Sequence, residues 1–289
     1  MAIRHLLIMG LAALMPAALR ADQARTVLQP TAVNAPVELP MELLVSRPLV
    51  RVKINGQGPY AFLLDPEAQR TSIDSRLIEA LKIVRPKGAD GQPTERRVDL
   101  EIGPVKLAAV AIDEMDTSRL VPALDAAAQP RGVISLKLWA DQLVTIDYTR
   151  WRITLEPGAL PEPNTKDIFP IRESAHDLLI SATIGERTIW CHIDPMFPGG
   201  LLLPGGDLLD LPLAEPARDN GSVQTRRALV PIRQARLGVD ATLGVFVFQT
   251  PLVDFGGADD VATLGWQWLT DFALTYDIAH GRVRLERSR

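Results

Sequence analysis

The amino-acid sequence repeats itself once, and this repeat limits the possible folds more than any other feature. Two blocks recur in the same order in both halves of the chain, the first with an offset of 129 residues and the second with an offset of 130. Blocks that recur in this way indicate that one folding unit has been duplicated. The matched segments are 60–66 with 189–195, 142–148 with 272–278, and 152–156 with 282–286.

The duplication divides the chain into two domains of similar length. The 289 residues, 47% of them hydrophobic, suffice for one large core or two small ones. We expect a first lobe over 44–157 and a second over 167–289, with an N-terminal extension over 22–43. Residues 158–166 are predicted to form the linker between the lobes. The prolines in this segment stiffen it and favour its exposure to solvent.

The first 21 residues have the pattern of an export signal. Arg4 and His5 precede an uncharged run over 6–19, after which the chain returns to polar composition. This pattern predicts a signal peptide over 1–21 and a mature protein that is periplasmic or secreted. A membrane anchor is the alternative interpretation, but the run is shorter than the about 20 residues that a helical span requires. We expect no membrane span after cleavage of the signal.

Both halves consist mainly of short segments that are typical of β-strands. Runs rich in β-branched and aromatic residues alternate with Gly, Pro and Asp turn signals. One helix is predicted over 75–81, where Asp74 can cap it, and a second short helix over 136–142. The sequence therefore predicts an all-β fold of two barrel-like lobes with few short helices. Strands are expected at 49–54, 60–64, 98–102, 105–112 and 144–148.

The order of these segments resembles the retropepsin-like lobe of aspartic proteases. Each half has an apolar strand that ends in Asp, a second apolar segment, a glycine-containing turn and a final hairpin, as in 144–156. Two such lobes in one chain are similar to the bacterial two-lobed members and, more distantly, to pepsin-type enzymes. The resemblance implies two lobes related by an internal pseudo-twofold axis. It also implies that Asp65 and Asp194 form the catalytic pair in a cleft that admits an extended polypeptide.

In such a pair, two carboxylates share one proton and titrate together. The ionised member activates a water molecule, and the protonated member hydrogen-bonds the carbonyl under attack. The resemblance implies no cofactor and no metal, and a polypeptide is the expected partner. Since the symmetry axis would lie inside one chain, a monomer is expected.

The residues that follow the two aspartates depart from the family pattern, in which Asp precedes Thr or Ser and then Gly. This chain has Pro66 and Glu67 in the first half, and Pro195 and Met196 in the second. Proline has neither a hydroxyl nor a backbone N–H, so the hydrogen-bonded interlock between the lobes cannot form at these positions. If Glu67 points inward, a third carboxylate lies beside the pair and disfavours ionisation of its neighbours.

Two interpretations of Asp65 and Asp194 follow from this departure. In the first, each Asp-Pro is a turn that ends a strand, with the carboxylate accepting local amide hydrogen bonds, and the cleft binds polypeptide with hydrolysis impaired or absent. In the second, both aspartates activate water and the protein is an aspartic endopeptidase. We prefer the first, because the same groups that support the pair are lost in both halves.

Further candidate cleft residues lie on or beside the same strands. Residues two apart in a strand share a face, so His192 and Asp194 point the same way while Cys191 points towards the core. An imidazolium beside Asp194 holds that carboxylate ionised and opposes proton sharing, whereas an imidazole packed under a loop is the alternative. Leu63 occupies the matching position in the first half. The predicted substrate cleft consists of Leu63, Glu67, His192 and Met196.

The composition excludes several other functions. With 31 basic and 35 acidic residues, the net charge is −4. This charge balance argues against a basic surface that binds nucleic acid. One cysteine and four histidines without ligand spacing predict no metal site. The sequence contains no Gly-x-Ser-x-Gly elbow, which argues against a serine hydrolase. The five tryptophans are expected to lie in the core.

Overall fold

A computed structural model describes residues 34–44, 47–118, 120–121, 124–125, 127–174, 177–195, 197–224, 229–256 and 261–287. The predicted signal peptide over 1–21 and the cleft candidate Met196 lie outside the described residues. The described part of the chain is all-β, with helices of one or two turns only, as predicted. Among its helices, none is long and apolar enough to cross a membrane.

The first half contains ten described strands and one α-helix. The helix α1 spans Ser75–Ala80, and a 3-10 helix spans Leu136–Trp139. The strands are β1 (Val37–Pro40), β2 (Glu42–Leu44), β3 (Arg47–Ile54), β4 (Gln57–Asp65), β5 (Ser72–Asp74), β6 (Arg96–Ile102), β7 (Val105–Met115), β8 (Gly132–Ser135), β9 (Leu143–Asp147) and β10 (Arg152–Glu156).

The second half contains the remaining described strands. The helix α2 spans Trp266–Leu269, and a 3-10 helix spans Gly205–Leu209. The strands are β11 (Ile168–Pro170), β12 (Arg172–Ser174), β13 (Asp177–Ile184), β14 (Arg187–Asp194), β15 (Leu201–Leu203), β16 (Arg218–Gln224), β17 (Leu229–Arg236), β18 (Ala241–Leu243), β19 (Phe246–Phe248), β20 (Leu252–Gly256), β21 (Ala262–Gly265), β22 (Phe272–Asp277) and β23 (Arg282–Arg287).

Each half forms a sheet of its own. In the first half, the strand order is β2-β3-β4-β8-β5-β7-β6, and an additional pairing between β3 and β6 closes the sheet into a barrel. In the second half, the order is β16-β17-β20-β15-β21-β14-β13-β18-β19, with β12 paired to β13. The strand that ends in Asp is paired in the same way in both sheets. It is antiparallel to the preceding strand (β3 or β13) and parallel to a later one (β8 or β21).

A third sheet joins the two halves. Its order is β1-β10-β9-β22-β23-β11, so the central contact is the antiparallel pairing of β9 from the first half with β22 from the second. Thr145 pairs with Thr275 at the middle of this contact, and their hydroxyl oxygens are 2.9 Å apart. One apolar core cluster includes buried residues of both halves, among them Ile146 and Leu274.

Most of the local predictions are confirmed. Helix α1 begins where predicted, because the Asp74 carboxylate accepts hydrogen bonds from the backbone N–H groups of Arg76 and Leu77. Each expected strand segment lies within an observed strand, except that β9 ends one residue before Tyr148. The prediction that every tryptophan lies in the core is wrong for Trp151, which is 51% exposed. Trp151 lies in the turn between β9 and β10 with a φ of +55°, and this turn directs its ring towards solvent.

Candidate functional site

The two aspartates predicted to face each other end equivalent strands. Asp65 is the last residue of β4 and pairs with Ser135 of β8, while Asp194 is the last residue of β14 and pairs with Gly265 of β21. Both of these pairings are parallel, so in each sheet the aspartate lies at the same corner between two buried strands. Asp65 is partly exposed, whereas Asp194 is only 5% exposed.

The backbone oxygens of both aspartates accept a hydrogen bond from the residue three positions later. The backbone oxygen of Asp65 accepts the N–H of Ala68 at 3.2 Å, and that of Asp194 accepts the N–H of Phe197 at 3.1 Å. In the first half, the Asp65 carboxylate also accepts the N–H of Glu67 at 3.0 Å. This local hydrogen bond is the one that a strand-ending Asp-Pro turn was expected to make.

Both aspartates lie near a single tyrosine hydroxyl. Tyr148 is only 2% exposed, and burial raises the pKa of its hydroxyl; the negative charges of Asp194 and Asp65 raise this pKa further. Burial also raises the pKa of Tyr276, and Tyr148, Glu67 and Asp65 act in the same direction. Tyr148 is therefore close enough to carboxylates of both halves to be affected by their charges, whereas Tyr276 is affected by carboxylates of the first half.

Neither tyrosine hydroxyl has a hydrogen-bond partner among the described residues. The ring of Tyr148 instead makes an edge-to-face contact with Trp266, with the ring centroids 5.7 Å apart. Each of these buried hydroxyls retains a hydrogen-bond donor that no described residue accepts.

Glu67 connects this region to the second half of the chain. Its side chain is almost completely buried, and Oε1 accepts the backbone N–H of Leu178 in β13 at 3.2 Å. The same oxygen lies 3.4 Å from Nδ1 of His192 in β14. The Glu67 side chain therefore points inward, and it contacts two strands of the other half.

Arg47, the first residue of β3, adds a buried positive charge. Arg47 is 6% exposed, and its Nε has no hydrogen-bond partner among the described residues. Burial lowers the pKa of the Arg47 guanidinium, and the negative charge of Asp194 acts in the opposite direction. Arg47 and Asp194, from different halves, are thus close enough to interact electrostatically, and the guanidinium favours the ionised form of Asp194.

The site as a whole contains three carboxylates, one guanidinium and one imidazole. Opposite charges beside a carboxylate stabilise its ionised form, and a buried charge without such partners costs several kcal/mol. The arrangement can hold polar or charged groups of a ligand near Asp65, its one partly exposed carboxylate. Among the described residues, no group of three or more His, Cys, Asp or Glu side chains is placed to hold a metal ion.

The other cleft candidates have different surroundings. Leu63 is 1% exposed and packs in a small apolar cluster with Val121 and Val133, so its side chain does not reach an open surface. His192 is 9% exposed and faces Glu67, as described above. Cys191, its neighbour, is fully buried in the main core, as the strand alternation predicted.

Three residues of the site were not predicted from the sequence. Arg47 could have been identified as a candidate site residue, because it is one charged residue followed by three apolar residues. Tyr148 and Tyr276 occupy positions that do not match under the repeat: Ile146 aligns with Tyr276, and Tyr148 aligns with Ile278. A search for matched residues therefore passes over both tyrosines.

The fold and the site define an all-β protein in which each half contributes one strand end with an aspartate. No family model and no curated protein matches the sequence. Among solved structures, the crystal structure of basic 7S globulin from soybean is similar, with a TM-score of 0.51 and 12% sequence identity. The match covers 88% of this chain and 95% of the globulin chain. At this identity, the match shows a shared overall fold alone.

Proposed function

We propose that this protein is a two-lobed relative of the aspartic proteases that binds extended polypeptide in the cleft between its lobes and has impaired or absent hydrolytic activity. In this proposal, Asp65 and Asp194 occupy the positions of the catalytic pair. The proposal includes export from the cytoplasm and a monomeric state.

The pairing of the sheet that joins the halves supports the two-lobed arrangement. Asp147 of β9 pairs with Ala273 of β22, and Leu143 pairs with Asp277. Adding the repeat offset of 130 to Asp147 gives Asp277, and subtracting it from Ala273 gives Leu143. The first pair thus becomes the second with its members exchanged, which is the pattern that a local twofold axis between β9 and β22 produces. Thr145 and Thr275 then pair with each other across this axis.

The inward position of Glu67 is the observation that carries the non-catalytic part of the proposal. A working pair needs one proton shared between two carboxylates, with no other strong partner for either. Here Glu67 brings a third carboxylate, buried against Leu178 and His192, and the guanidinium of Arg47 favours ionised Asp194. An arginine that stabilises one carboxylate as an anion opposes the sharing of a proton between the two carboxylates.

Incubation of the mature protein with a mixed peptide library from pH 3 to pH 7 tests this function. We expect peptides to be retained on the immobilised protein and no new termini to be detected by mass spectrometry. Asp65→Asn should weaken retention, whereas Asp141→Asn, at an exposed position, should not. Cleavage that either Asp65→Asn or Asp194→Asn abolishes would contradict the non-catalytic proposal, and failure to retain any peptide would contradict the binding proposal.

One observation favours an active aspartic endopeptidase as the second candidate. Asp65 and Asp194 both raise the pKa of the same tyrosine, Tyr148, so the two carboxylates lie in one neighbourhood although 129 residues separate them. In that case one aspartate would activate water and the other would hydrogen-bond the carbonyl. The cleavage experiment above distinguishes the two candidates directly.

A further inference from the structure

The sequence contains two Asn-Gly pairs, at 55–56 and at 220–221, and neither belongs to the candidate cleft. An Asn-Gly pair is prone to deamidation, because glycine has no side chain to keep its backbone nitrogen away from the preceding side-chain amide. Attack of that nitrogen on the amide carbon closes a succinimide ring and releases ammonia. The two pairs have the same chemistry but different surroundings in the fold, so the structure predicts which of them reacts.

The second pair lies in an irregular part of an edge strand. Asn220 and Gly221 belong to β16, at one end of the strand order in the sheet of the second half. The register between β16 and β17 shifts between Asp219 and Ser222, so neither Asn220 nor Gly221 has a paired residue in β17. Both are exposed, Gly221 has a φ of +73°, and a Cβ atom there would meet no described atom within 4 Å. Ring closure therefore has room and access to water.

The side-chain nitrogen of Asn220, which deamidation removes, contacts a buried carboxyl group. Nδ2 of Asn220 donates a hydrogen bond to Oδ1 of Asp254 at 3.3 Å, and Nε2 of Gln234 donates to the same oxygen at 3.0 Å. Asp254 is 6% exposed, and burial raises its pKa although the two amides act in the opposite direction. A carboxyl group within hydrogen-bond distance of a leaving nitrogen can supply the proton with which ammonia departs.

The first pair is held by hydrogen bonds to the backbone of β6. Oδ1 of Asn55 accepts the N–H of Asp99 at 2.9 Å, and the backbone N–H of Asn55 donates to the oxygen of Asp99 at 2.9 Å. Together these bonds fix the turn between β3 and β4. Closure of a succinimide ring at Asn55 has to break the first bond, and neither bond places a carboxyl group on Nδ2 of Asn55.

We propose that Asn220 is a deamidation site whose reaction is assisted by Asp254 and whose product detaches β16 from β20. The backbone nitrogen of Gly221 forms a bond to Cγ of Asn220 and loses its proton to water. The Cγ–Nδ2 bond breaks, and ammonia leaves with a proton from Asp254, which solvent then restores. Water opens the ring to aspartate or isoaspartate, and no atom is oxidised or reduced.

The product changes the contact that links β16 to β20. Strand β17 lies between these two strands in the sheet, so the hydrogen bond from Asn220 to Asp254 reaches across it. Deamidation replaces the donor with a second carboxyl group, which faces the buried Asp254. Two carboxylates this close disfavour each other's ionised form, and the hydrogen-bond donor is lost as well. Strand β16 therefore loses its attachment to β20 through Asp254.

Time courses of the mature protein at neutral pH, followed by peptide mapping and mass spectrometry, test the site. In the folded protein, Asn220 should deamidate about tenfold faster than Asn55. In guanidinium chloride the two rates should be similar, because both are then unstructured Asn-Gly pairs. A rate at Asn220 equal to or below the rate at Asn55 in the folded protein would overturn the proposal, and this comparison needs no variant.

Variants of Asp254 separate its role from the effect of exposure. Asp254→Asn should slow deamidation at Asn220 about tenfold and leave Asn55 at its slow rate, which shows that the variant is folded. An unchanged rate at Asn220 with Asn55 still slow would reject the assistance by Asp254. If Asn55 accelerates, which reports unfolding, Asp254→Ser is used in its place, since it also lacks the carboxyl group.

Asn220→Asp imitates one product of the reaction. The amides of β16 should exchange with deuterium about tenfold faster than in the natural protein, and addition of Asp254→Asn should restore slow exchange, because one carboxylate of the pair is removed. Asn55→Asp is the matched control and should leave exchange in β16 unchanged. Unchanged exchange in Asn220→Asp, or no recovery in the double variant, would reject the detachment of β16.

Discussion

The Glu67 carboxylate accepts a hydrogen bond from the backbone N–H of Leu178 at 3.2 Å, although 111 residues separate them. Glu67 belongs to the turn that follows Asp65, and Leu178 belongs to a strand of the other half. The same carboxylate lies 3.4 Å from His192. A buried carboxylate with partners in the other half couples the two halves, because separating them leaves its charge without compensation.

The coupling between Glu67 and His192 can be measured by a double-mutant cycle of Glu67→Gln and His192→Leu. We expect an interaction energy of about 1–2 kcal/mol in urea unfolding at pH 6, because both side chains are nearly excluded from solvent. The matched control is the cycle of Asp277→Asn and His280→Leu. That pair is closer, at 2.8 Å, but the His280 side chain is 50% exposed, so its coupling should be smaller. Additive effects at Glu67 and His192 would show that the two side chains are not coupled.

Asp74 should contribute to stability down to acidic pH. Burial by itself raises its pKa, but hydrogen bonds from Arg76 and Thr117 outweigh burial and hold the pKa of Asp74 well below its usual value. A carboxyl group whose pKa is lowered on folding stabilises the protein above its unfolded-state pKa, which is about 3.9 for Asp. This contribution falls as pH decreases below that value and is lost at the folded-state pKa.

Asp74→Asn should therefore lower the free energy of unfolding by about 2 kcal/mol at pH 7, because a neutral amide replaces the charged acceptor of the hydrogen bonds from Arg76 and Thr117, while the cap of the helix is kept. The difference from the natural protein should shrink below about pH 4. Asp141→Asn, at an exposed position, should change stability by less than about 0.5 kcal/mol. A deficit for Asp74→Asn that stays constant from pH 7 to pH 2.5 would contradict the role of the charge.

Gly132, the first residue of β8, should not tolerate a side chain. A Cβ atom at this position would lie 2.2 Å from the backbone oxygen of Ser72 and 2.3 Å from the ring of Phe62. Gly132→Ala should destabilise the protein by about 3 kcal/mol or more, because neighbouring strands would have to separate. Gly206→Ala is the matched control, since a Cβ there meets no atom within 4 Å. Chemical denaturation of both variants gives the comparison, and equal stability would contradict the close packing at Gly132.

Cys191 should be unreactive in the folded protein. Its side chain is completely buried, and burial raises the pKa of the thiol to about 12, so almost no thiolate is present at pH 8. Labelling with dithionitrobenzoate at pH 8 should be limited by the rate of unfolding. The same reagent should label the protein within minutes in 6 M guanidinium chloride. Rapid labelling under native conditions would show that the thiol is accessible.

The sequence predicted local structure well where contacts between near neighbours in the chain determine that structure. Asp74 caps α1 because its carboxylate reaches the first free N–H groups of the helix, a contact between close neighbours in the chain. The turn at Asn55-Gly56 joins β3 and β4 because both residues adopt positive φ, which Asn and Gly tolerate best. The alternation of strand residues likewise placed Cys191 in the core.

The candidate site could be predicted only in part. The sequence repeat identified Asp65 and Asp194, and it raised the possibility that the Glu67 side chain points inward. These predictions depend only on the matched segments and on the expected ends of the strands. It did not identify Arg47, whose nearness to Asp194 depends on how β3 of one half packs against the other half. Nor did it identify Tyr148 and Tyr276, which occupy unmatched positions and meet only after β9 and β22 pair.

The sequence by itself determined the strands, the turns and the duplicated order of segments, because these depend on backbone preferences and on side-chain alternation within a few residues. Only the tertiary structure decided which charges meet. The partners of Glu67 lie in strands more than a hundred residues away, and the register of the sheets and the packing between the halves bring them together. Local preferences contain no information about that register, since the same strand patterns are compatible with many pairings.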